Sequence, residues 1–141
     1  MKEKVDCLLA NAIVLTMDES YNQYEPGAVA IRGAYIVAVG SEQRVLGEYE
    51  SDEIIDCRGK ILMPGLINGH THISMNLLRG LADDLRLDVW LMGYMMPVER
   101  AFVSPDFVRL GAKLAVAELI RSGVTCLNDM YYFEDDVAEA V

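Results

Sequence analysis

The chain has 141 residues, which is enough for one domain of ordinary size. Its formal net charge of −10 repels phosphate backbones, so we expect no nucleic-acid partner, and its three scattered cysteines argue against a disulfide framework or a thiolate metal site. Because the sequence shows neither a signal peptide nor an apolar run that could cross a bilayer, we expect a cytoplasmic protein without membrane contact.

Short runs of β-forming residues recur over the first part of the chain. We predict strands over residues 5–9, 12–16, 28–31, 35–39, 53–56 and 61–63. Ala10-Asn11 marks a possible bend, and Gly33 between two β-rich runs predicts a hairpin because glycine adopts positive φ freely. The polar stretch 41–52 carries no predicted element. These runs indicate a small, partial β-sandwich domain over residues 1–60.

Residues 61–141 alternate between strand and helix signals. The predicted elements are a strand over 66–72, a helix over 88–96 that Pro97 ends or kinks, a helix that starts after Ser104 and stops at Gly123, a strand over 124–129 and a helix that begins at Glu134. The order strand, helix, strand is that of a βαβ unit with parallel strands. The chain is therefore expected to be an α/β protein.

The helix after Ser104 carries the clearest local signals. Ser104 is a good N-cap, and Pro105 follows at the first helical position, where its missing N–H costs nothing. The apolar residues of this helix predict one wide stripe that packs on a sheet. The stripe consists of Phe107, Leu110, Leu114, Ala117 and Ile120, broadened by Val108, Ala112, Ala115, Val116 and Leu119.

The only two histidines of the chain, His70 and His72, lie two residues apart at the end of a predicted strand. Side chains of a strand alternate between two faces, so both imidazoles are expected to point the same way and to bind one cation. Neutral imidazole is the commonest metal ligand in proteins. The alternative is a pair of partly buried histidines without a metal.

The sequence around the histidines resembles the N-terminal signature of the amidohydrolase superfamily. That signature has an aspartate and a Gly-Lys pair, then Pro-Gly, then the His-x-His of the first barrel strand; here these are Asp56, Gly59-Lys60, Pro64-Gly65, His70 and His72. Residues 76–84, Trp90, 97–100 and 128–133 resemble the branch of 5-methylthioadenosine/S-adenosylhomocysteine deaminases, with chlorotriazine hydrolases and guanine deaminases as near relatives. The resemblance extends from about residue 5 to residue 141.

The resemblance implies the N-terminal part of a metal-dependent (β/α)8 barrel over residues 61–141, preceded by strands of the small β-sandwich domain over residues 1–60. A complete barrel needs about 250 residues, so the barrel is expected to be incomplete here. By resemblance, His70 and His72 bind zinc, or alternatively iron, together with a later histidine and a later aspartate. No catalytic residue beyond these two metal ligands is expected in this chain.

Two further residues are candidates for substrate binding. A glutamate beside an arginine is usually solvated, and a tryptophan in a Leu- and Met-rich helix usually belongs to a core. The resemblance implies instead that Glu99 accepts hydrogen bonds from ribose hydroxyls, and Trp90 is a candidate for stacking on the purine or lining its pocket. Asn68, Thr71 and Asp129 are candidates for orienting the two histidines.

The implied reaction is hydrolysis of a carbon–nitrogen bond that is not a peptide bond. It is most specifically the deamination of an adenine nucleoside such as S-adenosylhomocysteine or 5-methylthioadenosine, with a purine nucleoside as the small-molecule partner. The alternatives are a chlorotriazine hydrolase, a guanine deaminase, or a non-catalytic truncated fragment that acts only by association. We further expect a homo-oligomer, or a fold completed by a C-terminal portion, and little activity from the 141-residue chain alone.

Overall fold

The computed structural model describes all 141 residues and divides them into two compact units, Met1–Pro64 and Gly65–Val141. Each unit has apolar clusters of its own. The division lies a few residues after position 60, because the short strand Ile61–Leu62 pairs with a strand of the first unit. No helix of either unit combines the length and the apolar character that a membrane crossing requires.

The first unit is built on a five-stranded sheet. Its elements are β1 (Glu3–Lys4), β2 (Cys7–Leu15), β3 (Gln23–Arg32), β4 (Tyr35–Ser41), α1 (Glu42–Glu48), β5 (Tyr49–Glu50), β6 (Ile54–Asp56) and β7 (Ile61–Leu62). Strands β2, β3 and β4 are antiparallel neighbours, whereas β6 and β7 run parallel to β2, and β1 pairs with β5 separately.

The predicted hairpin is confirmed as β3–β4, with Gly33 at φ +57° in its turn. The possible bend near residue 11 is a local irregularity within one strand: Asn11 has φ +53°, and the pairing of β2 with β3 shifts between Leu9 and Ala12. An extra residue in one strand bends it without ending it. Residues 7–15 are therefore a single bulged strand.

Helix α1 is the largest element of the first unit that the sequence did not predict. It packs Val45, which is completely buried, against Leu8, Ala28 and Ala30 of the sheet. A helix of seven residues with one buried side chain shows no 3.6-residue apolar period, so the polar stretch gave no signal. Within this chain the unit is a five-stranded sheet with a helix on it and a separate pair of short strands, β1 and β5. Its assignment to a β-sandwich stays a prediction.

The second unit is a βαβ arrangement, as predicted. Its elements are β8 (Leu66–Thr71), a 3₁₀ helix (Ile73–Leu78), a π-helix (Val89–Met95), α2 (Met96–Phe102), α3 (Pro105–Arg121), β9 (Val124–Asp129) and α4 (Glu134–Ala140). Strands β8 and β9 are parallel and directly paired. Helix α3 packs on the 3₁₀ helix and on α4, around a cluster of Ile73, Val108, Ala112, Ala115 and Val137.

Pro97 does not end the predicted helix over 88–96. It lies in the first turn of α2, and helical backbone continues from the π-helix into α2. Ser104 caps α3 as predicted, since its side chain accepts a hydrogen bond from the backbone N–H of Phe107 at 3.3 Å. Gly123, with φ +81°, follows the end of α3.

The predicted stripe of α3 is wrong at its centre, but three of the residues predicted to broaden it, Val108, Ala112 and Ala115, are buried. Its fully buried residues are Val108, Gly111, Ala112 and Ala115, whereas Leu110 and Ile120 are 61% and 67% exposed. The reason is close packing: a Cβ on Gly111 would lie only 2.6 Å from the carbonyl oxygen of Ser74. The 3₁₀ helix thus packs on the small-residue face of α3 and leaves the larger apolar residues uncovered.

We expect Gly111→Ala to lower the free energy of unfolding by about 1–3 kcal/mol, because the added methyl meets backbone atoms that cannot yield. Gly47→Ala, in α1, is the matched control. A Cβ there meets nothing within 4 Å, so better helix propensity should stabilise by up to about 1 kcal/mol. Urea denaturation followed by circular dichroism measures both. Equal effects of the two substitutions would contradict this account of the α3 contact.

Candidate functional site

The two histidines lie where the carboxyl ends of β8 and β9 meet. His70 is the penultimate residue of β8, and His72 is the first residue after it, so the predicted strand 66–72 ends at Thr71. The imidazole centroids are 5.0 Å apart and their planes are inclined by 81°. Both rings are thus close enough to donate to one cation.

The imidazole of His72 is held by β9. Its Nδ1 lies within hydrogen-bond distance of the carbonyl oxygen of Met130. Because a carbonyl oxygen only accepts, Nδ1 carries the proton and Nε2 keeps its lone pair. Metal-binding histidines characteristically donate their second N–H in this way, which fixes the tautomer.

Backbone contacts on both sides of His72 strengthen this arrangement. The N–H of Met130 donates to the carbonyl of Thr71 at 3.1 Å, and the N–H of Ile73 donates to Oδ1 of Asp129 at 2.9 Å. The other carboxylate oxygen of Asp129, Oδ2, is buried without a hydrogen-bond partner. The residues flanking His72 are therefore tied to the end of β9.

The side chains of the candidate orienting residues make no hydrogen bond to either imidazole. Asn68 accepts from the backbone N–H of His70 at 3.3 Å, Thr71 contributes its carbonyl, and Asp129 contacts the backbone of Ile73. The group that binds an imidazole is the Met130 carbonyl. Sequence reasoning missed it, because a main-chain carbonyl has no residue-type signature.

The donor set fits half of a zinc site. Zinc prefers nitrogen and sulfur ligands in a tetrahedral arrangement, and His70 and His72 supply two such nitrogens, one with its tautomer fixed. No group of three or more His, Cys, Asp or Glu residues is arranged to hold a metal in this chain. Any complete site needs ligands from outside these 141 residues.

Glu99 approaches the same edge from α2. The hydroxyl of Tyr131 donates to Oε1 of Glu99 at 2.9 Å, and the ring of Tyr131 lies 6.4 Å from that of His72. Burial, followed by the hydrogen bond to Glu99, raises the pKa of Tyr131 well above its usual range. Tyr131 therefore stays protonated and remains a hydrogen-bond donor at neutral pH.

Trp90 is not brought to this edge. It lies in the π-helix, half-buried, and lines a cavity of about 270 Å³ together with Met75, Arg79 and Met95. Neither histidine lines that cavity, and Glu99 lines a different one. The structure thus brings His72, Glu99 and Tyr131 close together, whereas Trp90 lines a separate cavity.

Tyr131 is the second residue that sequence reasoning missed. It lies in the stretch 128–133 that carried the resemblance, but its role could not be inferred before β9 and α2 were placed beside each other. The signal available was its position directly after the predicted strand 124–129. In parallel sheets, residues that follow strand ends are the ones that gather at a site.

The raised pKa of Tyr131 predicts a pH effect. In the unfolded chain the phenol ionises near pH 10, so its stabilising contribution is complete below that pH and is lost as the pH rises toward the folded-state pKa. We expect Tyr131→Phe to remove the highest-pH component of the phenolate absorbance titration. Glu99→Gln should move that component to lower pH. Loss of a component near pH 10 in Tyr131→Phe would contradict the assignment.

Comparison with known proteins agrees with this geometry. Residues 61–141 match the family model described as "Amidohydrolase family". The chain is 47% identical over 137 residues to a 5-methylthioadenosine/S-adenosylhomocysteine deaminase of Syntrophobacter fumaroxidans, covering 97% of this chain and 31% of that protein. It is 43% identical over 136 residues to a 5'-deoxyadenosine deaminase of Methanosarcina mazei, covering 96% of this chain and 30% of that protein.

Among solved structures, an adenosine deaminase from Xanthomonas campestris with bound zinc superposes with a TM-score of 0.92 at 40% identity. The superposition covers 99% of this chain and 32% of the deaminase. The chain thus spans about a third of the length of the proteins that it matches.

Proposed function

Because the chain belongs to the amidohydrolase family, we propose that it is the N-terminal portion of a metal-dependent deaminase of adenine nucleosides. The observation that carries the proposal is the meeting of His70, His72 and Glu99 around the segment Met130-Tyr131 at the end of β9. The names of the similar proteins, two nucleoside deaminases, support the reaction. By the same relationship, Gly65–Val141 forms the first strand–helix units of a (β/α)8 barrel.

In this proposal His70 and His72 bind a divalent metal. Zinc is the first choice, because the Xanthomonas campestris protein holds zinc and because paired imidazoles suit it. When bound, the metal supplies the Lewis acidity that activates water for attack. The chain's own part is to hold the two nitrogens: the Met130 carbonyl keeps the proton of His72 on Nδ1 and leaves Nε2 available.

Glu99 would bind the sugar of the substrate. Oε1 of Glu99 accepts a hydrogen bond from the Tyr131 hydroxyl. The other carboxylate oxygen, Oε2, has no hydrogen-bond partner in the structure, so it can accept one from a ribose hydroxyl. Charge-assisted hydrogen bonds of this kind are the stronger ones. In the overall reaction, water adds to the ring carbon that bears the amino group, and ammonia leaves. Trp90 remains a candidate for lining the purine pocket.

The 5′ substituent of the substrate is proposed to carry no phosphate. Arg79 and Arg86, in the segment after β8, are each paired with a carboxylate, Glu118 at 2.7 Å and Asp88 at 2.5 Å. Recognition of phosphate typically uses several free arginines or a helix N-terminus aimed at the anion, and Arg100 is the only arginine that lines a cavity with Glu99. S-Adenosylhomocysteine, 5-methylthioadenosine and adenosine are therefore preferred to AMP.

Three related points stay predictions. They are the cytoplasmic location, the assembly into a homo-oligomer and completion of the fold by a C-terminal portion. The alternative of a non-catalytic fragment is separated from a catalytic enzyme by the DNA after the codon for Val141. An in-frame continuation with further histidines and a late aspartate supports the enzyme, and a stop codon supports the fragment.

We expect the complete enzyme to hold about one tightly bound divalent metal per chain, and His70→Ala and His72→Ala each to lose the metal together with at least about a hundredfold of activity. Elemental analysis and an ammonia-release assay measure the two effects. Cys126→Ser is the control: this exposed thiol is a potential zinc ligand outside the site, and its removal should change neither quantity. Retention of metal and turnover by both histidine variants would refute the ligand assignment.

The substrate class is tested by presenting the complete enzyme with S-adenosylhomocysteine, 5-methylthioadenosine, adenosine, AMP, guanine and a chlorotriazine. We expect the first three to have the highest kcat/KM, measured by the ultraviolet change on loss of the amino group and by release of ammonia or chloride. A preference for guanine or for dechlorination would favour the alternative enzymes of the family. A preference for AMP would show that later segments supply a phosphate site.

A further inference from the structure

We propose that Tyr131 is a positioning residue of the substrate site: its hydroxyl fixes one oxygen of Glu99, so that the other is presented to the sugar. The inference rests on the proposed function of Glu99 and extends it. The bond from the Tyr131 hydroxyl to Oε1 is 2.9 Å long and is the only side-chain hydrogen bond of Glu99 in the structure. Glu99 makes no ion pair with the neighbouring Arg100.

Glu99 needs such a partner because α2 is lightly held. None of the seven residues of α2 is fully buried, so packing alone leaves this short helix free to shift. The side chain of Glu99 itself is only half-buried. A long carboxylate side chain on such a helix has several open rotamers, and the bond to Tyr131 selects one of them.

Tyr131, in contrast, is fixed on several sides. Its ring packs against the buried cluster around Val108 and Ala112 of α3, and it meets the ring of Tyr132 edge-on at 5.1 Å. Its backbone N–H donates to the side chain of Glu134 at the start of α4. The hydroxyl is therefore a rigid donor, and it can hold a flexible acceptor in place.

Adjacent residues perform the two positioning tasks. The carbonyl of Met130 orients the imidazole of His72, and the hydroxyl of Tyr131 orients the carboxylate of Glu99. The separation between the cation ligand and the sugar ligand is then set by one dipeptide at the end of β9. A group that is held in advance loses little entropy when the substrate binds, which is the advantage of such an arrangement.

The test uses the complete enzyme, with adenosine and 2′,3′-dideoxyadenosine as substrates. We expect Tyr131→Phe, which keeps the ring and removes the hydroxyl, to lower kcat/KM for adenosine about fivefold and to leave the dideoxy substrate within about twofold. The affinities for inosine and 2′,3′-dideoxyinosine, measured by titration calorimetry, should change in the same ratio without any turnover. The metal content should stay unchanged, because His72 is held by a carbonyl.

Two further variants sharpen the result. In the double variant Tyr131→Phe/Glu99→Ala, the loss for adenosine should equal that of Glu99→Ala alone, because Tyr131 acts through Glu99. Tyr94→Phe is the matched control: this tyrosine lies in the π-helix, is half exposed, and its hydroxyl makes no hydrogen bond. We expect Tyr94→Phe to change kcat/KM only slightly, and by the same factor for adenosine and 2′,3′-dideoxyadenosine.

Each contrary outcome has its own meaning. Equal losses on both substrates in Tyr131→Phe would overturn the proposal and leave a purely structural tie between α2 and β9. A loss confined to adenosine in Glu99→Ala but absent in Tyr131→Phe would also overturn the proposal, while the contact between Glu99 and the sugar stands. If neither the Glu99 variant nor Tyr131→Phe distinguishes adenosine from its dideoxy analogue, both the contact of Glu99 with the sugar and its positioning by Tyr131 are refuted. If nucleosides are bound selectively but are not deaminated, only the proposed reaction fails.

Discussion

The hydrogen bond from Nδ1 of His72 to the carbonyl of Met130 joins the two halves of the candidate site. It links the first residue after β8 to the first residue after β9, and it exists because the two strands are parallel neighbours whose carboxyl ends lie at one edge. The bonds of Thr71 and Ile73 to the same stretch of β9 depend on the same pairing. Without β9, one imidazole would lose its orientation and Glu99 would lose its partner.

Sequence patterns predicted the parts of the molecule that obey local rules. The two-residue spacing indicated that the imidazoles of His70 and His72 lie near each other, Gly33 marked the hairpin, and Ser104 marked the start of α3, since each signal depends on neighbouring residues only. The resemblance in the His-x-His segment indicated the family, which the match over residues 61–141 confirms. The site was predictable to the extent that it consists of side chains with characteristic chemistry.

What the sequence could not predict arises from contacts between distant segments. The buried face of α3 is decided by how closely the backbone of Ser74 approaches Gly111, so hydrophobicity alone selected the wrong stripe. Helix α1 is stabilised by the packing of Val45 on the sheet, which is a contact between distant segments. The carbonyl of Met130 and the hydroxyl of Tyr131 became recognisable only when β8, β9 and α2 were assembled.

The π-helix that precedes α2 carries a consequence for the direction of Glu99. A π-helical turn contains one more residue than an α-helical turn, and such turns arise when a residue is inserted into an α-helix. Residues of an α-helix are separated by about 100° around its axis. If the same seven residues of Val89–Met95 adopted α-helical geometry with none deleted, α2 would be rotated by about that angle and the carboxylate would turn away from Tyr131. The number of residues in the π-helix therefore determines the rotation of α2 about its axis, and with it which side chain of α2 faces β9.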